Sequence, residues 1–493
     1  MTPRVEVAIV GAGFAGIAAA LALKAEGRDS FVILERAAAV GGTWRDNTYP
    51  GVACDVPSHL YGFAGHANPA WSGVFAKGPE IRTYLEDVVA AEGLLPHVRL
   101  RSSLDGATWD DDARLWRIES AGSSLEAESL VLACGRLTEP SVPDIPGLES
   151  FPGPIFHSAR WDHSVDLAGA RVAVAGTGAS AVQLVPEVAR SAASVTLFQR
   201  TPAWIVPRGA RPYSPDERRR FAEPGVLEDL RAELYAEGER RFASRSGDAE
   251  AAAVARAEAL AHLERQIADP ALRAALTPDY AFGCKRVLLS DDFYPALASG
   301  SVRLEASALA AAEGSALIAA SGERHESDVL VLATGFEASR QPYASLVRGE
   351  DGRTLDEHWV TGMTSFASTV VSGFPNLFVL NGPNASLGHN SAVLMMEEQA
   401  AYVMRALALR DERGGAPLRV RPAAEAAYTR EVDRAAAGTP WVAGGCRNWY
   451  VDDRSGRLTL LWPDTVDAFR DRLARADGDE FEPEPVRAEG EAA

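Results

Sequence analysis

Long apolar runs are missing from this chain of 493 residues: no uninterrupted segment reaches the roughly 18 residues that cross a bilayer core, so no membrane span is expected. Cysteine is scarce as well. The four present, Cys54, Cys134, Cys284 and Cys446, lie far apart with no CxxC pair, which excludes a zinc-ligand spacing and a dithiol motif. No metal site is expected, and unpaired thiols in a reducing cytoplasm are the simplest reading. Positive charge is in deficit, with 49 Lys and Arg against 68 Asp and Glu and a formal net charge of -19. A field of that sign repels polyanions, so binding to nucleic acid or to an anionic membrane surface is not expected; only a local basic pocket for phosphate stays open. A signal peptide is not expected either, because the apolar stretch in MTPRVEVAIVGAG is short, broken by Glu6 and followed at once by glycines.

What is present is a globular composition, 47% hydrophobic and 24% charged, in a chain too long for one core, so two or three units are expected. VEVAIV, then GAGFAGIAAALALKAEG, then FVILE reads as strand, tight turn, helix and strand. Gly11, Gly13 and Gly16 form GxGxxG directly after the first strand, where missing Cβ atoms let backbone approach a pyrophosphate at a helix N-terminus. Glu35, 19 residues past Gly16, ends the next strand where a ribose needs an acceptor. The same grammar recurs at RVAVAG, TGASAVQLVPEVARS and SVTLFQR. This second loop holds Gly176, Thr177, Gly178, Ala179, Ser180 and Ala181, and its following strand ends in Gln199, Arg200 and Thr201 instead of an acid. A cation and a hydroxyl there suit a 2′-phosphate, hence NADP and not NAD. Two unequal dinucleotide sites imply a flavin reduced by a nicotinamide.

SLVLACG at 129–135 is echoed by ESDVLVLATGF at 326–336, which suggests one unit inserted into another. The expected fold is α/β, with two Rossmann-like dinucleotide-binding domains, the NADP domain inserted into the FAD domain, and a helical excursion. The expected boundaries are 1–150 for the first part of the FAD domain, 151–328 for the NADP domain with a helical insert near 210–280, and 329–476 for the second FAD part with substrate-site elements. An acidic flexible tail is expected at 477–493.

GGTWRDNTYPGVACDVPSHLY, at 41–61, resembles the stretch after the flavin loop in class B flavoprotein monooxygenases, specifically the Baeyer-Villiger monooxygenases. Phe151, Gly153, His157, Trp161 and Asp162 match that family's FxGxxxHxxxW(P/D) fingerprint, and QRTPAW, CKR, ATGF, NGPN and GHNS follow in the family's order. Cys134 and Ala181 depart from the pattern but stay small. The resemblance implies FAD and NADPH/NADP+ as cofactors, O2 and a ketone as substrates, and insertion of one oxygen beside the carbonyl through a C4a-peroxyflavin to give an ester or lactone. It implies that Arg286 is the active-site cation, oriented by Asp55, and that Lys285 joins Arg200 and Thr201 at the 2′-phosphate. Gly42, Thr43, Trp44 and Asn390 are implied at the cofactors, with the helix after GHNS facing the flavin, and the fingerprint is implied to be a domain hinge in which His157 is no chemical base. Trp449 fits either the substrate or nicotinamide side or a structural role. An N- or S-oxygenating flavin monooxygenase is the rival reading, and an NADPH oxidase or redox sensor a more distant one. The ketone and the oligomeric state stay open.

Overall fold

Strand Arg4–Val10 is buried along its last four residues, which pair on one side with buried Phe31–Leu34 and on the other with buried Ser129–Leu132, so this strand lies inside a sheet. The computed structural model describes residues 2–483. Among them the first sheet has eight strands, in the order 347–348, 104–110, 115–120, 123–132, 4–10, 31–35 and 98–100, with 377–379 also paired to 123–132. Strand Ser123–Leu132 is long because it serves two partners on the edge away from Arg4–Val10: its first half pairs antiparallel with Leu115–Ser120, its last residues parallel with Leu377–Val379. Ile9, Leu130 and Val131 are fully buried there, each contributing about 1.5–3 kcal/mol relative to exposure.

The second sheet is wholly parallel and has five strands, ordered 302–305, 194–198, 171–175, 329–332 and 155–157. The chain leaves the first sheet after Leu132 and rejoins it at Val347, so the second dinucleotide fold is inserted into the first. The two echoed strands are the counterparts of one another, one beside each nucleotide loop. Strand Val329–Leu332 belongs to the second sheet, which corrects the boundary expected at 328: an apolar run of four residues carries no mark of which sheet it enters. The composition of the excursion accounts for its helices. Ala, Glu, Leu and Arg build helices Val226–Arg241 and Ala249–Gln266, the latter capped by the Asp248 side chain accepting from the Ala251 N–H at 2.8 Å.

Two further expectations are corrected. Cys284 and Cys446 are joined by a disulfide across 162 residues, so they are not separate thiols; only the tertiary fold brings them together, and Cys54 and Cys134 are the free ones. The thiols therefore no longer speak for a reducing compartment. The expected flexible tail is anchored at its start: Phe481 is buried beside Val420, and Glu480 accepts from the Tyr402 hydroxyl at 2.8 Å. One aromatic in an acidic string is enough to anchor it, and 484–493 lie outside the described residues. Among the described residues no helix is long and apolar enough to cross a membrane.

Candidate active site

Each nucleotide loop turns against the end of a neighbouring parallel strand. Gly11 has φ +107°, and a Cβ on it would overlap the Ala133 carbonyl; Gly176 has φ +113°, and a Cβ would overlap the Ala333 carbonyl. Both positions require glycine, for conformation and for space. Gly16 lies against the Gly11 carbonyl, where it lets helix Phe14–Ala25 close on the loop. The loops open into one cavity of ≈ 1170 Å³, more than the roughly 300–1,000 Å³ typical of a single small-ligand pocket. Gly13, Gly42, Thr43 and Trp44 border it from the first unit, Thr177, Gly178, Ala179 and Ser180 from the second, and Arg200, Thr201, Lys285 and Asn390 also reach it.

Several of these side chains already hold protein partners. Glu35 accepts from the N–H groups of Ala12 and Ala37 at 3.0 and 2.9 Å and pairs with Arg45 at 2.9 Å, so its carboxylate braces the loop it was expected to serve only as a ligand acceptor. Thr177 donates to the Thr201 carbonyl at 2.8 Å. Asn390 donates to Glu239 at 2.9 Å and to the Tyr235 carbonyl at 3.2 Å, which ties its loop to the helical excursion. Trp44 donates to the Tyr61 hydroxyl at 3.1 Å.

Arg286 lies just before the short strand Leu288–Leu289, and Asp55 in the loop that follows the first nucleotide unit's GGTW turn. Arg286 donates from Nε and Nη2 to one oxygen of Asp55, at 2.9 and 2.6 Å. The Asp55 charge, offset in part by burial, holds the guanidinium even further above its ordinary range, so it stays charged at any working pH. Burial alone would raise the Asp55 carboxyl; the charge and hydrogen bonds of Arg286, with help from Arg208, outweigh it and bring the pKa below the usual value. Burial and the nearby Arg200 charge pull Lys285 down, and its ammonium lies 5.0 Å over the Tyr280 ring.

The fingerprint lies off the cavity. His157 ends strand Ile155–His157, its Nδ1 accepts from the Ala159 N–H at 3.1 Å, and burial pulls its pKa down to about 4, so it is neutral near pH 7. Phe151 is buried, Gly153 lies against the Asp328 carbonyl where no Cβ fits, Trp161 packs edge-on to Phe156, and exposed Asp162 caps the turn at Ser164. Beyond them His163 bonds Thr48 at 2.8 Å, joining this segment to the first unit.

A family model described as Pyridine nucleotide-disulphide oxidoreductase matches residues 8–237. A Baeyer-Villiger monooxygenase of Streptomyces coelicolor is 45% identical over 495 residues, covering 99% of this chain and 95% of the relative. The chain belongs to the Baeyer-Villiger monooxygenase family. Among solved structures, cyclohexanone monooxygenase from Rhodococcus sp. Phi1 bound to NADP+ matches with a TM-score of 0.87 at 26% identity, over 98% of this chain and 99% of the other. A complex of OTEMO with FAD and NADP matches with a TM-score of 0.85 at 26% identity, over 98% and 100%. This Baeyer-Villiger monooxygenase is accordingly an NADPH-dependent flavoprotein whose cofactors are FAD and NADP(H). Its two glycine cradles and the basic strand end at Arg200 fit those groups.

Sequence reasoning missed four residues around the monooxygenase site. Arg208 donates to the Cys54 carbonyl at 2.6 Å, next to Asp55. Gln183, on the helix after the second nucleotide loop, donates to the Ala53 carbonyl at 3.0 Å and accepts from Tyr49 at 3.0 Å, so one unit grips the Asp55 loop of the other. Tyr450 is buried beside Arg286, and Arg245, from the excursion, is pulled down to about 10 by burial and by the Arg286 charge. RGAR and NWY offered a cation and aromatics near recognised motifs, but no spacing tied them to Asp55.

Proposed function

We propose that this chain converts a ketone, O2, NADPH and a proton into an ester or lactone, NADP+ and water, with Arg286 as the cation that carries the oxygenation. The observation supporting this reading is the Asp55–Arg286 pair, held by two hydrogen bonds at 2.9 and 2.6 Å on the wall of a cavity that both nucleotide loops share. Bound FAD supplies the two electrons taken from NADPH and the reduced ring at which O2 is activated. The protein's part is electrostatic and geometric. Arg286 presents a permanent positive charge to oxygen atoms on which negative charge develops, and Asp55 fixes the direction of its planar fork. Arg200, Thr201 and Lys285, which all border the cavity, hold the 2′-phosphate of NADPH. The fingerprint serves as the hinge between units, and His157, neutral and outside the cavity, keeps the end of its strand in place.

The test is incubation of the purified yellow protein with NADPH and a panel of cyclic, aryl, linear and steroid ketones, with thioethers and amines alongside. Ester or lactone formation that drops about 10²–10³-fold in Arg286→Ala, with flavin still bound, is the expected result. Sulfoxides or N-oxides as the sole products would overturn it.

A further inference from the structure

The disulfide lies within the site's own framework. Cys284, with no exposed surface, directly precedes Lys285 and Arg286; Cys446 comes three residues before Trp449, in a segment whose Arg447, Asn448 and Trp449 border the same cavity. Neither stretch has regular secondary structure at the bridge, so no ladder of backbone bonds fixes one against the other. Two polar links join them, a backbone bond from the Ala281 N–H to the Gly444 carbonyl at 3.1 Å and the Tyr450 side chain against Arg286. The packing is close nonetheless. A Cβ on Gly444 would lie 2.9 Å from the Cys284 Cβ, so only glycine lets the two backbones meet at the sulfurs. The Trp449 segment is stiff within itself: Asn448 donates to the Trp441 carbonyl at 2.7 Å and accepts from Tyr450 and Val451 at 3.0 and 3.2 Å. It therefore moves, or stays, as a unit, and it carries Tyr450 against Arg286.

We propose that the Cys284–Cys446 bridge is a positioning device for the reaction: it locks the loop carrying Lys285 and Arg286 to the loop carrying Trp449, and so fixes the cation relative to the neighbouring cavity wall. This rests on Arg286 being the oxygenation cation. A bridge that merely staples the fold would change the unfolding temperature and nothing else. A bridge that positions changes how NADPH is held and how its electrons are used, because displacements of about 1 Å in a site cost rate steeply.

The experiment compares the oxidised enzyme, the enzyme reduced with a phosphine, and the single variants Cys446→Ser and Cys284→Ser, all with FAD bound. Alkylation and peptide mass analysis establish the thiol state. In the untreated enzyme Cys54 and Cys134 alone should carry free thiols; free Cys284 and Cys446 would overturn the proposal. Loss of the bridge should raise KM for NADPH and lower ester formed per NADPH, each by at least about threefold, with H2O2 making up the difference. Reductant should add nothing to the Cys446→Ser variant, and reoxidation of the reduced wild type with glutathione disulfide should restore both values. A lowered unfolding temperature with KM and coupling unchanged would overturn the proposal. Should the buried bridge resist the phosphine, the two variants make the same comparison. Absence of ester from the untreated enzyme would instead strike at the role of Arg286, while KM for NADPH would still decide whether the bridge positions the loops.

Discussion

At the residue scale two charges and their geometry decide the chemistry proposed for the site. The Asp55–Arg286 pair is partly exposed, so its value is orientation more than stability. Asp55→Ala leaves the guanidinium charged but free to swing, and ester formation should fall about 10–100-fold with H2O2 release rising, measured as product per NADPH. The Asp55 carboxyl has a lowered pKa, so its contribution is complete above the ordinary aspartate range and is lost only as pH falls through the lowered value. The pH profile of ester formation should therefore carry no inflection from this pair between about pH 5 and 9. An inflection in that range that vanishes in Asp55→Asn would contradict the assignment. At the neighbouring position, Lys285→Ala should raise KM for NADPH about 10–100-fold and leave KM for NADH unchanged, since a charge-assisted bond to the 2′-phosphate contributes roughly 1.5–3 kcal/mol. Asp55, Arg286 and Lys285 were legible as candidates because they stand in short motifs. Arg208 and Tyr450 were not, because their relation to Asp55 and Arg286 exists only once loops more than a hundred residues apart are folded together.

At the element scale the helical excursion acts as a clamp on the loop before helix Ala392–Glu412. Glu239 accepts from Asn390 at 2.9 Å and from the Val466 N–H at 3.0 Å, and Arg245 donates to the Gly388 carbonyl. Gly238 makes room for this: a Cβ there would lie 2.5 Å from Cγ of Asn390. Gly238→Ala should destabilise the protein by about 1–3 kcal/mol in denaturant unfolding and loosen flavin retention. The sequence showed that segment as helical from its composition, and Asn390 as a cofactor residue from the GHNS motif. It could not show that Asn390 faces Glu239, since an amide at a helix start reads the same with or without a partner. The fingerprint strand follows similar logic. His157 on that strand and His59, packed against Tyr213 and Phe221, are both buried and have pKa values pulled down to about 4 by burial, so the unfolded chain takes up protons first and stability declines as pH falls from about 6.5 towards 4. Thermal unfolding across that range should show the decline, and His157→Asn should flatten part of it.

At the scale of the whole molecule, two dinucleotide folds share one cavity because the second is inserted where the first strand beside its nucleotide loop ends. That plan was written in the repeated strand, glycine loop, helix pattern and in the echo of 129–135 by 326–336. The boundary was misread by one strand, because four apolar residues fit either sheet equally well. The disulfide and the packed segment around Phe481 escaped for a related reason: both are decided by distant partners, and neither leaves a local pattern. Gln183 grips the Asp55 loop at the junction of the two folds, where Arg208 and His163 also join them. Across this junction NADPH reduces O2 so that one oxygen atom enters the ketone and the other leaves as water. The most direct measurement is turnover of a ketone under 18O2 with NADPH, followed by mass analysis of the product. One 18O atom in the ester or lactone, with product and NADPH consumed in equal amounts, is the predicted result. Unaltered ketone with H2O2 equal to the NADPH consumed, for every ketone tried, would contradict it.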